Sequence, residues 1–460
     1  MTHEEANGET AAVSRCGELL KELQHQGDGT ISRVHLAVPD MQGRPKGKII
    51  DGGVFAARES DTDMCSYILA TDIDMNPLDR FDLTGWDQGF GDLRVRPDPN
   101  SGRLLPHQAD TALVIGDALH HDGSPVEVAP RQMLRRQLER LSDTGYHVAV
   151  GVEEEFVLLA GTVERIRRSG YRIRPAWPDN RDYSLSHPPK IADFLRDLHV
   201  NLRLADIPVE AVKTEGAGGQ VEVTFVYTEP MTACDAWLAH RIITDDLAQR
   251  AGMTATWMAA PTNNVGSGLH LHVSLWTGNG NAFTHHRGKD MPPAMERAIA
   301  GLVSAMPHMG PLYAPTVNSY KRYRPHSFAP TRHTWGIDNR TCATRVTSHG
   351  ENTRLEIRLA GADANPYLVL AAVCASIVHG FTDDPQLPAP CTGNSYTATQ
   401  APPVAADLAE ATAHFSGSSI PVKAFGELVV AHYTHAMRDQ ILRHRRLITD
   451  ADLAQGIGRT

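Results

Sequence analysis

Residues 269–275 read Leu269-His270-Leu271-His272-Val273-Ser274-Leu275. Apolar and polar residues alternate without a break, and successive side chains leave a strand on opposite faces. A strand here carries two imidazoles and a hydroxyl on one face and four aliphatic side chains on the other. The same design recurs in Arg354-Leu355-Glu356-Ile357-Arg358-Leu359 and in Gln220-Val221-Glu222-Val223-Thr224-Phe225. It recurs less cleanly in Val152-Glu153-Glu154-Glu155-Phe156, where Glu154 breaks the alternation. One such strand is an ordinary solvated sheet edge. Four point to a curved sheet whose inner face holds metal and an anionic substrate.

The donor types narrow the metal. Glu153, Glu155, Glu215, Glu222 and Glu356 with His270 form an oxygen-dominated set with one nitrogen. Mg²⁺ takes oxygen ligands, Mn²⁺ accepts an imidazole as well, and a set this rich in glutamate can hold two ions. Zinc would call for more His and Cys. A cupin-type His-x-His site needs a Glu shortly after the second His, where this chain has Leu275 and Trp276. The stretch Glu215-Gly216-Ala217-Gly218-Gly219-Gln220-Val221-Glu222 is a turn whose glycines let backbone approach a ligand while two glutamates reach one centre. Arg322, Arg340, Arg345, Arg354 and Arg358 make a clamp suited to phosphate and carboxylate. No P-loop and no GxGxxG before a helix is present, so a nucleotide would need another scaffold.

Composition sets the outer bounds. The chain has 460 residues, enough for two or three domains, with 41% hydrophobic and 21% charged residues and a net charge of -10. That balance argues against nucleic acid as a partner. No signal-peptide pattern opens the chain, and the longest greasy run, Leu368 to Val378, is too short to span a bilayer. Six cysteines without CxxC spacing fit reduced thiols in a cytoplasmic protein.

Taken in order, residues 1–28 read as a mobile tail and one helix around Leu19 to Leu23. Residues 29–122 read as a small, mostly β domain with strands at Val34–Val38, Gly47–Ile50, Tyr67–Ala70, Leu93–Val95 and Ala112–Ile115. It includes an acidic turn-rich stretch from Asp72 to Asp79. Residues 123–460 form the larger domain. Helices are expected from Pro130 to Leu141, Ile191 to Leu204, Asp235 to Ala251, Pro292 to Ala305, Asn365 to Val378 and Ala424 to Asp450, and a surface loop from Arg172 to Pro189. Gly361 to Tyr367 reads either as a capped helix start or as a ligand contact. Strands and helices do not strictly alternate, so the class is α+β rather than doubly wound.

These motifs together resemble the glutamine synthetase family. The matching segments are Glu153-x-Glu155-Phe156, the Glu215 to Glu222 turn, Gly266 to Ser274, Asn318 to Arg322, Asn339-Arg340 with Arg345, and Arg354 through Tyr367. They occur in the family's order and spacing over roughly residues 30 to 450. The resemblance implies a small β-grasp-like domain followed by a glutamine synthetase/guanido kinase-type catalytic domain with an antiparallel, funnel-shaped sheet. One ion, Mg²⁺ or Mn²⁺, would take Glu155, Glu215 and Glu222, and a second Glu153, His270 and Glu356. ATP would lie near Glu210, Phe225, His272, Ser274 and Arg354. Glutamate would be held by Gly266, Arg322 and Arg358, with Arg340 and Arg345 facing the phosphates and Arg322, Arg340 and Arg345 serving the chemistry. Assembly into hexameric rings, a dodecamer with sites between subunits, is implied as well.

Two departures fall on the acceptor side. Ammonia-using members of the family carry a Glu just before Ala-Pro, where this chain has Phe328 before Ala329-Pro330. The family's Asp-Gly-Ser-Ser loop is missing, and the Asp72 to Asp79 stretch lies in that region. The expectation is a ligase joining glutamate to a primary amine, similar to the γ-glutamylpolyamine and γ-glutamylethanolamide synthetases. Phe328 would pack on the amine's methylenes and Asp72 and Asp74 would face its charge. The alternatives are an ammonia-using enzyme with its acid supplied from elsewhere, and a non-catalytic relative.

Overall fold

The alternating segments pair with one another. A computed structural model describes residues 15–27, 29–58, 61–263, 266–286, 288–347 and 349–459. The expected tail before residue 15 lies outside the described residues, and the helix after it runs Arg15–Gly27. Two sheets follow, and the class is α+β.

The smaller sheet takes Pro45–Asp51, Arg33–Pro39, Thr111–Leu119, Asp92–Pro97 and Thr62–Cys65 in that spatial order, with Arg103–Leu104 also on Thr111–Leu119. Arg33–Pro39 and Thr111–Leu119 run parallel. Tyr67–Ala70, expected as a strand, lies instead in a 3-10 turn at Ser66–Leu69. A four-residue apolar run has no period to tell the two apart.

The larger sheet runs Trp335–Ile337, Thr344–Thr347, Arg354–Ile357, Leu269–Thr277, His147–Ala160, Gln220–Phe225 and Val209–Thr214. Its pairs are antiparallel apart from Trp335–Ile337 with Thr344–Thr347. Lys213 on one edge strand and Arg345 near the other edge line a single cavity of about 550 Å³. On a flat sheet five strand spacings would hold them about 24 Å apart. The sheet therefore curls into a funnel with its charged face inside.

Five helices covering its apolar side begin with proline in the first turn: Pro130–Ser142, Pro189–Leu204, Pro230–Arg250, Pro293–Ala305 and Pro366–Thr382. The missing amide costs little there. Pro366–Thr382 is buried almost throughout, and Asn365 caps it by accepting from the Tyr367 amide at 3.1 Å. The capped-start reading of Gly361 to Tyr367 accounts for that junction. The last expected helix is broken: Glu427–Arg445 ends, and Asp450–Gly456 restarts after a capping box at Thr449. Leu408–Gly417 and Ser419–Phe425 are two further helices whose weak periodicity gave no signal.

The two sheets share one hydrophobic core. A buried cation also ties them. Arg131, on Pro130–Ser142, reaches Asp98 at 2.6 Å and Asp117 at 3.0 Å in the small-sheet region, and pairs with Asp235 of Pro230–Arg250. The Tyr367 hydroxyl donates to the same Asp235 carboxylate.

Candidate active site

Strand register assembles the site. Glu222 stands opposite Glu155 on one side and Lys213 on the other. Glu153 faces His270. Glu356 faces His272 and Arg345. A one-residue slip in any pair would send these groups to the apolar face. Glu154 shows the consequence, since its side chain does point backward. There it is fully buried and accepts from Arg241 at 3.0 Å, while that guanidinium lies 4.2 Å from the Trp237 ring centroid and 4.5 Å from that of Trp257. Burial raises its carboxyl to about 8.

Two carboxylate groups result. Glu155, Glu215 and Glu222 offer oxygens within 4.8 Å of one another, and so do Glu153, His272 and Glu356 with one ring nitrogen. The first is an all-oxygen set, the chemistry that Mg²⁺ and Mn²⁺ select. The second contains His272, which the resemblance places with the nucleotide. His270 Nδ1 lies beside it, 3.4 Å from Glu153 and 3.8 Å from Glu356. Each imidazole faces an arginine on its other nitrogen: Arg354 Nε donates to His272 Nδ1 at 3.1 Å, and Arg322 lies 3.4 Å from His270 Nε2. A guanidinium can only donate, so both rings turn their own N–H toward Glu153. Burial opposes ionisation of Glu153, but these two imidazoles outweigh it and hold its carboxyl far below the usual range.

The first group behaves oppositely. Burial, then the charge of Glu215, raises Glu155 to about 7. Burial, then the charges of Glu153 and Glu155, raises Glu222 to about 9. Carboxyls raised from an ordinary 4.5 contribute stability that is full below that value and is lost as pH rises through about 7 to 9. A divalent cation needs both ionised, so its binding releases protons and offsets that loss. The rise in melting temperature produced by Mn²⁺ is therefore expected to grow from pH 6 to pH 9. An increment that is flat or shrinks with pH would contradict the raised carboxyls.

The arginines converge on the same cavity. Arg345 donates to Glu356 at 2.8 Å and pairs with Asp338, while Arg358 pairs with the other Glu356 oxygen. Arg340 lines the cavity and is exposed. Arg322 closes the floor, donating to the Leu359 carbonyl at 3.2 Å. A Cβ on Gly268 would stand 2.7 Å from both Arg322 and His270, so this position needs glycine for the guanidinium to approach. In the turn before Glu222, Gly219 has φ +76 and its Cβ would meet the Leu158 carbonyl at 2.4 Å. Gly266 also lines the cavity.

Other expected residues lie at its margin or away from it. Ser274 accepts from Trp276 Nε1 at 2.9 Å on the same strand as His272. Phe225 turns its ring to the core against His240, at a centroid distance of 5.3 Å. Glu210 is exposed at an irregularity between Val209 and Ala211. Phe328 lines the mouth, 61% exposed with φ +60. Asp72 and Asp74 do not line the cavity of their own chain. Asp72 pairs with Arg443 and accepts from the amides of Asp74 at 3.0 Å and Asn76 at 2.7 Å.

Sequence reading missed several lining residues. Gln220 donates to Glu155 at 2.9 Å and to the Gly266 carbonyl at 3.2 Å. Lys213, Asn180, Asp182 and Tyr183 line the same wall. Alternation could have found Gln220 and Lys213, each two residues from a glutamate on its strand or turn. Nothing local marks Asn180, Asp182 and Tyr183, which sit on the long loop after Arg172.

The curled sheet thus brings two carboxylate groups that could hold metal ions and several arginines to one cavity. The family model for the glutamine synthetase catalytic domain matches residues 127–455. The chain belongs to the glutamine synthetase family, and by class it is a carbon–nitrogen ligase. It is 41% identical over 435 residues, 94% of each chain, to a gamma-glutamylethanolamide synthetase of Streptomyces coelicolor. It is 32% identical over 440 residues to a gamma-glutamylputrescine synthetase of Escherichia coli K12, covering 91% of this chain and 90% of that one. The solved structure of GmaS with ADP shares the fold at a TM-score of 0.81 and 23% identity, over 95% of this chain and 99% of that one.

Proposed function

We propose that the protein is an ATP-dependent glutamate–amine ligase that forms a γ-glutamyl amide with a primary alkyl amine, such as a polyamine or ethanolamine. The observation that carries the amine is Phe328. It is an exposed aromatic at the cavity mouth where the family's ammonia-using members place a carboxylate, and it is held in the left-handed region that bulky residues rarely adopt. A phenyl ring cannot attract ammonium as a carboxylate does or take its proton; it can cover methylenes. The names of the two relatives above add support.

In this reading a γ-carboxylate oxygen of glutamate attacks the terminal phosphorus of ATP, and ADP leaves. The free-base amine nitrogen then attacks the acyl carbon, the bond from that carbon to the phosphate oxygen breaks, and the departing phosphate takes up the proton that the nitrogen loses. Glu155, Glu215 and Glu222, and Glu153 and Glu356 with the adjoining histidines, would hold divalent ions, Mg²⁺ or Mn²⁺, which would supply charge stabilisation for phosphoryl transfer. Arg340 and Arg345 serve the same charge from the protein side. Arg322 and Arg358 hold the glutamate carboxylates. The cavity carries Glu153, Glu155, Asp182, Glu215, Glu222 and Glu356 against Lys213, Arg322, Arg340, Arg345 and Arg358. It is close to neutral before ions bind and attractive to anions afterwards.

The same reading includes assembly into hexameric rings, with the acidic turn near Asp72 and Asp74 of a neighbouring copy completing each cavity. Exposure of Ile73 and Asp74 at its tip supports that role. Light scattering tests the assembly. Among the described residues no helix is long and apolar enough to cross a membrane. A cytoplasmic location is part of the proposal.

Phosphate release from ATP and glutamate, compared across ammonia, ethanolamine, putrescine and spermidine, tests the function. Activity with ammonia alone would reject the amine; activity with none would reject the ligase. Phe328→Glu is expected to shift kcat/KM toward ammonia by about tenfold or more relative to the best amine. It should leave the melting temperature unchanged, because the position is exposed. A parallel change for all acceptors would remove Phe328 from the acceptor site.

A further inference from the structure

Lys213 points into the all-oxygen carboxylate group. Its ammonium pairs with Glu215, lies 3.7 Å from Glu222 Oε1 and 3.9 Å from Asp182 Oδ1, and stands 4.7 Å from the centroid of the Tyr183 ring. The position follows from the sheet: Lys213 is directly opposite Glu222 and two residues from Glu215. Glu215 and Glu222 are two of the three carboxylates whose oxygens lie within 4.8 Å of one another. One ammonium thus stands against both carboxylates, at the edge of the place that a divalent ion would need.

Two cations cannot share that place, because their repulsion at such distances is large in a partly buried site. A lysine can yield where an arginine fork would not: its charge is a point on a flexible stem. The Asp182 carboxylate and the Tyr183 ring on the cavity-wall loop already face the ammonium and would keep hold of it as it leaves Glu222. We propose that Lys213 is a tethered counter-cation that competes with the divalent ion for Glu215 and Glu222. It holds these carboxylates together before the ion arrives and withdraws toward Asp182 and Tyr183 as the ion binds. It therefore weakens ion affinity and stabilises the ion-free protein. The inference rests on reading Glu155, Glu215 and Glu222 as an ion site.

The test is Mn²⁺ titration of the chelator-treated full-length protein, read by the electron paramagnetic resonance of free Mn²⁺, with melting temperatures measured alongside. Lys213→Met is expected to bind Mn²⁺ at least about tenfold tighter than wild type, the effect of removing one nearby like charge. Its ion-free melting temperature should fall, and Mn²⁺ should raise it more than in wild type. Lys213→Arg keeps the charge on a fork that yields less readily and should bind Mn²⁺ no tighter than wild type. Unchanged or weaker Mn²⁺ binding by Lys213→Met would overturn the counter-cation. Wild-type Mn²⁺ binding that Glu215→Gln leaves intact would overturn the ion-site reading instead, and the inference with it.

Discussion

Glu356→Ala is expected to lower phosphate release with every acceptor by about a thousandfold or more, the scale on which transition-state charge stabilisers act. Glu356 is buried and joins three functions at one carboxylate. It belongs to the second ligand group, accepts from Arg345 at 2.8 Å, and pairs with Arg358. Burial alone would raise its carboxyl, but the positive charges around it, Arg358 foremost, lower it to about 2. Its contribution to stability is thus present above its ordinary value of 4.5 and is lost as pH falls toward 2. Alanine leaves two buried guanidiniums without their shared partner, so the melting temperature should fall together with turnover. Glu356→Gln separates the effects. It preserves shape and some hydrogen bonding, so stability should largely return, while the missing charge keeps turnover low. A glutamine variant with more than about a tenth of wild-type activity would show that the charge is dispensable, since tenfold is only about 1.4 kcal/mol of barrier.

Arg131→Ala should cost about 3–5 kcal/mol of stability, the typical penalty for breaking a buried ion pair from one side. Arg131 is 1% exposed and pairs with Asp98, Asp117 and Asp235. Asp98 and Asp117 keep a second cation in Arg135, at 3.7 and 2.8 Å. Asp235 is more deeply buried and would retain the Tyr367 hydroxyl as its remaining partner. Lysine is expected to rescue little, because a single ammonium cannot reproduce a fork to three carboxylates. Urea denaturation of both variants gives the measurement. A loss below about 1 kcal/mol would put this network in the class of exposed salt bridges.

The network also shows where sequence reading stopped. Asp98, Asp117, Arg131 and Asp235 are unremarkable in the chain: a turn residue, a strand end and two helix positions. Their convergence depends on how one helix crosses two sheets. The Leu269 to Leu275 strand was legible because its period is local. The same holds for Gln220 to Phe225 and for Arg354 to Ile357, where the expected strand stops two residues short of Leu359. Proline at helix starts was legible too, whereas Tyr67 to Ala70 carried no period and was misread as a strand. Phe328 stood out only against the family's pattern, and its left-handed backbone was not legible at all.

Sequence alone determined which side chains share a face, because alternation within a strand follows from backbone geometry and needs no partner. It therefore marked Glu153, Glu155, Glu222, Glu356, His270 and His272 as candidates, whereas Glu215, Arg322, Arg340 and Arg345 came from a turn, clustering and the family's motifs. Tertiary structure decided which of them meet. Register between strands more than a hundred residues apart put His272 as well as His270 beside Glu153, and packing of the small-sheet region left Asp72 and Asp74 outside their own chain's cavity. Those pairings are set by long-range packing of apolar faces, and no local segment encodes them.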